Sequence, residues 1–276
     1  MKQVFSNKRI FAWILKNFQK FQPFLERIQN QEINPLLNSI EFTGPSMTPE
    51  KVIFAKKCLS LLPDASLIRG HCKQISFLPT IWFGKGSTPE NPIIVTNVKD
   101  AESQCSLPCG YSGFMNESTP NVYEQKIELY DFPDYVNPKV IRVYRAYVIL
   151  HEYAHTLGKP AFYWKHHAIN FLGITDPQEP TYKLKFNGQE LDPKVWHQNF
   201  ILEALSYDPV TVYSGVYKDL DSDERTHEYF ADYVATYFIR IALNPRMVDH
   251  WGGLIDCPGV KKRIEYFLNA EALIVA

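Results

Sequence analysis

The chain has 276 residues, a formal net charge of −1, 45 % hydrophobic and 14 % aromatic residues. This composition supports a large packed core and excludes a disordered chain, and the near-neutral balance provides no basic face for nucleic acid or an anionic membrane. No apolar run reaches the roughly 20 residues that cross a bilayer, and five cysteines argue against a disulfide framework, so the sequence predicts a soluble protein without a Sec-type signal, cytoplasmic or exported by a non-Sec route.

In chain order, Ile10, Ile14, Leu15, Phe18 and Phe21 keep helical spacing, and Pro23 is expected to break the run before Phe24. Thr48 and Pro49 provide an N-cap and a first-turn proline for a helix through Leu62. From Gln74 to Phe132, short apolar runs between Gly, Pro, Asn and Ser predict strands over 75–77, 80–83, 93–98 and 126–130. A long loop is expected over about 100–121; it holds Cys105 and Cys109, read as loop thiols or, with His71 and Cys72, as a second zinc site.

Asn137-Pro138 opens the next helix, and Leu157-Gly158 is expected to close it with a left-handed glycine. Along it Val140, Ile141, Tyr144, Tyr147, Val148, His151, Ala154 and His155 form one inward stripe. Further helices are predicted from Asp192-Pro193 to about Ser206, from Asp221-Ser222 to Leu243, and over 260–273. The expectation is an α+β fold forming one catalytic unit. Its N-terminal lobe, about 1–157, combines a small β-sheet with helices, and its C-terminal lobe, about 158–276, is mainly helical.

The segment His151-Glu152-Tyr153-Ala154-His155 spells H-E-x-x-H within that helix. Residues four apart share a helix face, so both imidazoles can reach one zinc ion, and Glu152 beside them can take the proton of a zinc-bound water. A third ligand is required. A histidine six residues after His155 would serve, but Ala161 stands there and His166 and His167 come late. The better source is Thr226-His227-Glu228-Tyr229-Phe230-Ala231-Asp232, where Glu228 and Asp232 share a face: one carboxylate can bind zinc while the other accepts an N–H from a ligating histidine.

His-Glu-Tyr-Ala-His followed by Glu-Tyr-Phe-Ala-Asp resembles the gluzincin branch of the zincin metallopeptidases, and locally it is most similar to families that include the CAAX prenyl protease type. The resemblance covers about thirty residues. It implies a two-lobed zincin-like fold, zinc on His151, His155 and Glu228, Glu152 as general base, Asp232 behind a ligating histidine, and hydrolysis of a protein or peptide substrate. The prenyl protease relatives span membranes, so their substrates do not carry over. The resemblance also implies that substrate pairs with a sheet edge upstream of the zinc helix; 126–130 is the expected edge, with 93–98 next. Tyr233 and His250 are candidate donors to the oxyanion.

Two rival readings come from other classes. Gly44-Pro45-Ser46-Met47-Thr48-Pro49 is similar to the serine box of type I signal peptidases, which would make Ser46 the nucleophile of a Ser-Lys hydrolase. A non-catalytic binding protein on a zincin scaffold is the other, and retention of Glu152 speaks against it. Asn116-Glu117-Ser118 is a formal glycosylation sequon without secretory context.

Overall fold

The structure, a computed structural model, describes residues 7–83, 94–95, 110–115, 124–134, 136–159, 182–204, 210–211, 222–241, 243 and 258–274. Two helices begin the chain, α1 (Asn7–Lys16) and α2 (Phe18–Asn30). The break falls at Asn17, whose side-chain amide donates to the Trp13 carbonyl at 2.9 Å, rather than at Pro23. Pro23 lies exposed inside α2, where the bond it withholds is the one to the exposed Gln19. Phe21, Phe24, Leu25 and Ile28 bury the opposite face.

Helix α3 (Pro49–Leu59) starts where the sequence places it, the Thr48 side chain accepting from the Lys51 N–H at 3.3 Å. It ends before Leu62, and Pro63 opens the short α4 (Asp64–Arg69). Before α3 the chain folds tightly against a strand. Gly44 has φ +105°, and a Cβ there would lie 2.2 Å from the Phe77 carbonyl oxygen, so only glycine fits this turn.

The main sheet has four strands: β1 (Glu41–Thr43), β2 (Cys72–Leu78), β5 (Gly110–Phe114) and β6 (Gln125–Tyr130), in the order β1-β2-β6-β5. β1, β2 and β6 are parallel, and among the described residues β5 closes one edge antiparallel to β6. Two expectations fail here. The stretch 126–130 is an interior strand flanked by β2 and β5, and the predicted loop contains β5. The expected strands over 80–83 and 93–98 shrink to β3 (Trp82–Phe83) and β4 (Ile94–Val95), which pair with each other. Ile75, Phe77, Ile127 and Leu129 turn the same face of β2 and β6 into the core.

Across that face lies α5 (Pro138–Gly158), capped as expected by the Asn137 side chain accepting from the Lys139 N–H at 2.9 Å. Most of it, from Val143 onwards, is buried between the sheet, α3 and the later helix α7 (Ser222–Ile239). Its end differs from expectation. Gly158 is not left-handed; the helix continues to Lys159, whose N–H still reaches the His155 carbonyl.

The C-terminal half holds α6 (Pro193–Ala204), α7 and α8 (Pro258–Asn269), with Trp196, Phe200, Phe230 and Phe267 packed together. It also holds a second antiparallel sheet, β8-β7-β9, built from β7 (Tyr182–Phe186), β8 (Gln189–Leu191) and β9 (Glu271–Ile274). The last predicted helix therefore stops at Asn269, and Leu273 belongs to a strand. Helix α7 also ends early, at Ile239, where Arg240 takes φ +59°. Among the described residues no helix is long and apolar enough to cross a membrane.

Candidate metal centre

α5 and α7 bring three donor groups together. His151 Nε2 and His155 Nε2 lie 3.0 Å apart, one helical turn from each other. From α7, Glu228 Oε2 approaches them at 3.2 and 3.6 Å. Both rings are buried, and the Glu228 oxygen is buried with no hydrogen-bond donor aligned on it among the described residues. Three electron-rich atoms in such proximity are stabilised by a shared proton or by a cation. The group can hold a metal ion.

Asp232 lies one turn beyond Glu228, fully buried, with Oδ1 2.9 Å from His151 Nδ1. Tyr147 donates to the same oxygen, and Thr211 donates to Oδ2. Tyr147 comes from the turn of α5 before His151, with its hydroxyl 3.3 Å from His151 Nδ1. Asp232 thus pins the outer nitrogen of the ring and leaves Nε2 facing the cluster. Tyr147 was legible only as a member of the inward stripe, and Thr211 gave no signal. His227, also buried, stacks against His155 with ring centroids 4.1 Å apart.

Electrostatics follow from this packing. Burial disfavours the charged His151 ring, but the bond to Asp232 and the nearby Glu228 outweigh it and raise its pKa well above the usual value. Burial lowers His155 to about 4. Glu228 is held below the ordinary carboxylate range because the two imidazoles overcome its own desolvation. Glu152, next to His151 and 8 % exposed, is raised by burial to about 7.

The edge strand β5 presses against Glu152. A Cβ on Gly110 would lie 2.6 Å from Glu152 Cγ and 2.7 Å from Val148 Cγ1, so the strand approaches α5 where it lacks a side chain. Ser112, two residues on and facing the same way, is buried and is the smallest of the influences that oppose the rise of the Glu152 pKa. Lys159, 4 % exposed at the end of α5, donates to the Ser112 carbonyl and, at 2.9 Å, to its hydroxyl. Burial pulls the ammonium down to about 8, with Glu152 opposing that shift. Neither residue stood out in the sequence: Ser112 fell in a presumed loop, and Lys159 follows a presumed helix stop.

Other candidates are placed elsewhere. The Tyr233 hydroxyl donates to the Ala204 carbonyl at 3.2 Å, on the side of α7 turned to α6, so it is not available to an oxyanion. Lys51, the amine nearest in sequence to Ser46, donates to the Ser46 carbonyl at 2.7 Å and pairs with Asp131 at 2.7 Å, so its ammonium is directed at these acceptors. Cys58 and Cys72 are free and buried. Cys105, Cys109, Asn116, Ala161, His166, His167 and His250 lie outside the described residues. No family model, curated protein or solved structure matches the chain.

Proposed function

We propose that this protein is a zinc-dependent peptidase with a zincin-like, two-lobed arrangement around α5, one catalytic unit hydrolysing peptide bonds in a protein or peptide substrate. The convergence of His151, His155 and Glu228 carries the reading. Donor atoms about 2.0–2.2 Å from a tetrahedral zinc sit roughly 3.3–3.6 Å from one another, and the three separations here, 3.0, 3.2 and 3.6 Å, lie at or slightly below that range. Two imidazoles and one carboxylate also form the ligand set that leaves a fourth position open in catalytic zinc sites.

Zinc supplies Lewis acidity, polarising a scissile carbonyl and acidifying water. Glu152 projects beside the ligands from the same helix, and with a pKa near 7 it suits both accepting a proton from the attacking water and returning it to the leaving amine. Asp232 holds His151 in the tautomer that ligates through Nε2. β5 offers the sheet edge beside Glu152 along which an extended substrate can pair.

Metal analysis tests the reading. About one equivalent of zinc per chain is expected, lost in His151→Ala and retained in Glu152→Gln, whose peptide hydrolysis drops by several orders of magnitude. Full metal content in the double variant His151→Ala, His155→Ala, or full activity in Glu152→Gln, refutes it. N-terminal proteomics of a lysate treated with the wild type or Glu152→Gln then identifies the substrate.

A further inference from the structure

Away from the metal centre, α2, the end of α7 and α8 enclose a cavity of about 280 Å³ beside the turn between α3 and α4. Leu61, Phe238 and Leu268, all buried, line its apolar part. Three cationic side chains line the rest: Arg27 from α2, Arg240 from the residue after α7, and Lys261 from α8. Among the described residues, none of these three side chains forms an ion pair or donates a hydrogen bond. Glu265, which lines the same cavity, instead accepts from the Tyr237 hydroxyl at 3.2 Å. Three positive charges and one negative leave a surplus of two at this cavity, on a chain whose net charge is −1. Partial burial and the neighbouring Arg240 push the Arg27 guanidinium below its ordinary pKa, so the two like charges repel each other. Arg240 also takes φ +59°, a left-handed conformation that favours glycine or asparagine at a helix end. Strained positions of this kind concentrate where ligands are held.

We propose that this cavity binds a small organic anion, a phosphate or carboxylate carried on an apolar body, with Arg27, Arg240 and Lys261 holding the charge and Leu61, Phe238 and Leu268 the body. A guanidinium offers a planar fork of donors that matches either anion, and an ammonium adds charge. An anion placed among like charges also removes their mutual repulsion. The volume lies at the lower limit of small-molecule sites, so the ligand is smaller than a peptide segment. Arg240 comes twelve residues after Glu228, roughly 18 Å along a helix axis, and this site is therefore separate from the metal centre.

Isothermal titration of the full chain, before and after chelation and dialysis, tests this with phenyl phosphate, phenylacetate, inorganic phosphate and phenol as probes. One equivalent of phenyl phosphate or phenylacetate should bind with a Kd of about 1 mM or lower, and the tighter of the two identifies the anion. Inorganic phosphate, which lacks the apolar body, should bind at least about threefold more weakly than phenyl phosphate, and phenol should not bind. Arg27→Gln, Lys261→Gln and Arg240→Asn, the last suited to the left-handed backbone, should each weaken the tighter anion at least about fivefold. Chelation should leave the affinity unchanged. Affinity lost on chelation places the anion on a metal ion instead and overturns the proposal. So do the absence of binding by both anions up to about 10 mM, equal affinity for phenol, or an unchanged Kd in Arg27→Gln and Lys261→Gln. Those two variants change accessible side chains on helix surfaces, so they decide the matter even if Arg240→Asn does not fold.

Discussion

Asp232 Oδ1 stands 2.9 Å from His151 Nδ1, joining the two longest of the described helices behind the face that carries His151, His155 and Glu228. The carboxylate is wholly buried and its remaining capacity is filled by Tyr147 and Thr211. Such a group orients a ligating ring and raises its basicity. Asp232→Asn, similar in size, should weaken metal affinity about 10–100-fold. Competition with a chelator of known affinity measures this, and an unaltered affinity would show that His151 needs no support from α7.

Much of this centre can be read from residue spacing because helical periodicity ties sequence directly to a face: His151 with His155, and Glu228 with Asp232, follow from steps of four on two helices. Asn137 and Pro138 likewise announced the start of α5. The end of α5 misled because a glycine can remain helical when buried packing holds it, as Gly158 does. β5 was hidden for a related reason. Gly110-Tyr111-Ser112-Gly113-Phe114 has the composition of a turn, yet its small residues are what allow a strand to lie against Glu152.

The sheet β8-β7-β9 is partly legible in the sequence. Asn187-Gly188 between the alternating Tyr182–Phe186 and Gln189–Leu191 is a strong hairpin signal, and both turn residues have positive φ, 51° and 77°. Glu271–Ile274 is indistinguishable from a continuing helix in the sequence because a short apolar run after a helix carries no period of its own. Thr211 reaches Asp232 from a part of the sequence that has no periodic pattern, so spacing predicts nothing there.

The Gly44 to Pro49 segment should behave as a turn and helix cap rather than as a nucleophile box. Ser46→Ala should leave hydrolysis within about twofold of wild type. Gly44→Ala should destabilise the fold by more than about 2 kcal/mol, since it combines a left-handed backbone with a clash against the Phe77 carbonyl. Denaturant midpoints and activity assays on the two variants separate these outcomes, and loss of activity in a folded Ser46→Ala would revive the serine reading.

Stability should depend on pH through His197 on α6. Burial lowers this ring to about 4, whereas an unfolded histidine titrates near about 6.5. Between those values the unfolded chain binds a proton that the folded chain does not. The contribution is therefore complete above about pH 6.5 and is lost as the pH falls towards 4, amounting to about 3 kcal/mol at most. Urea unfolding at pH 7 and pH 5 measures the loss, and His197→Phe should reduce it; equal losses in both proteins would assign the effect to other groups.

The edge of the main sheet can be located with proline. β6 has a neighbour on each side, so Glu128→Pro should remove a ladder bond and unfold the protein, contrary to what an edge at 126–130 would give. Ser112 lies on β5 with its backbone N–H turned away from β6, a position where proline leaves the ladder intact. Ser112→Pro removes both the hydroxyl and that outward N–H, and Ser112→Ala removes the hydroxyl alone, so the difference between them isolates the backbone group. If substrate pairs along β5, Ser112→Pro should stay folded, retain zinc and show a KM at least about fivefold above that of Ser112→Ala, as expected when a hydrogen bond worth about 1 kcal/mol is lost from binding. Equal KM values in the two variants would move the substrate away from this edge while leaving the metal centre untouched.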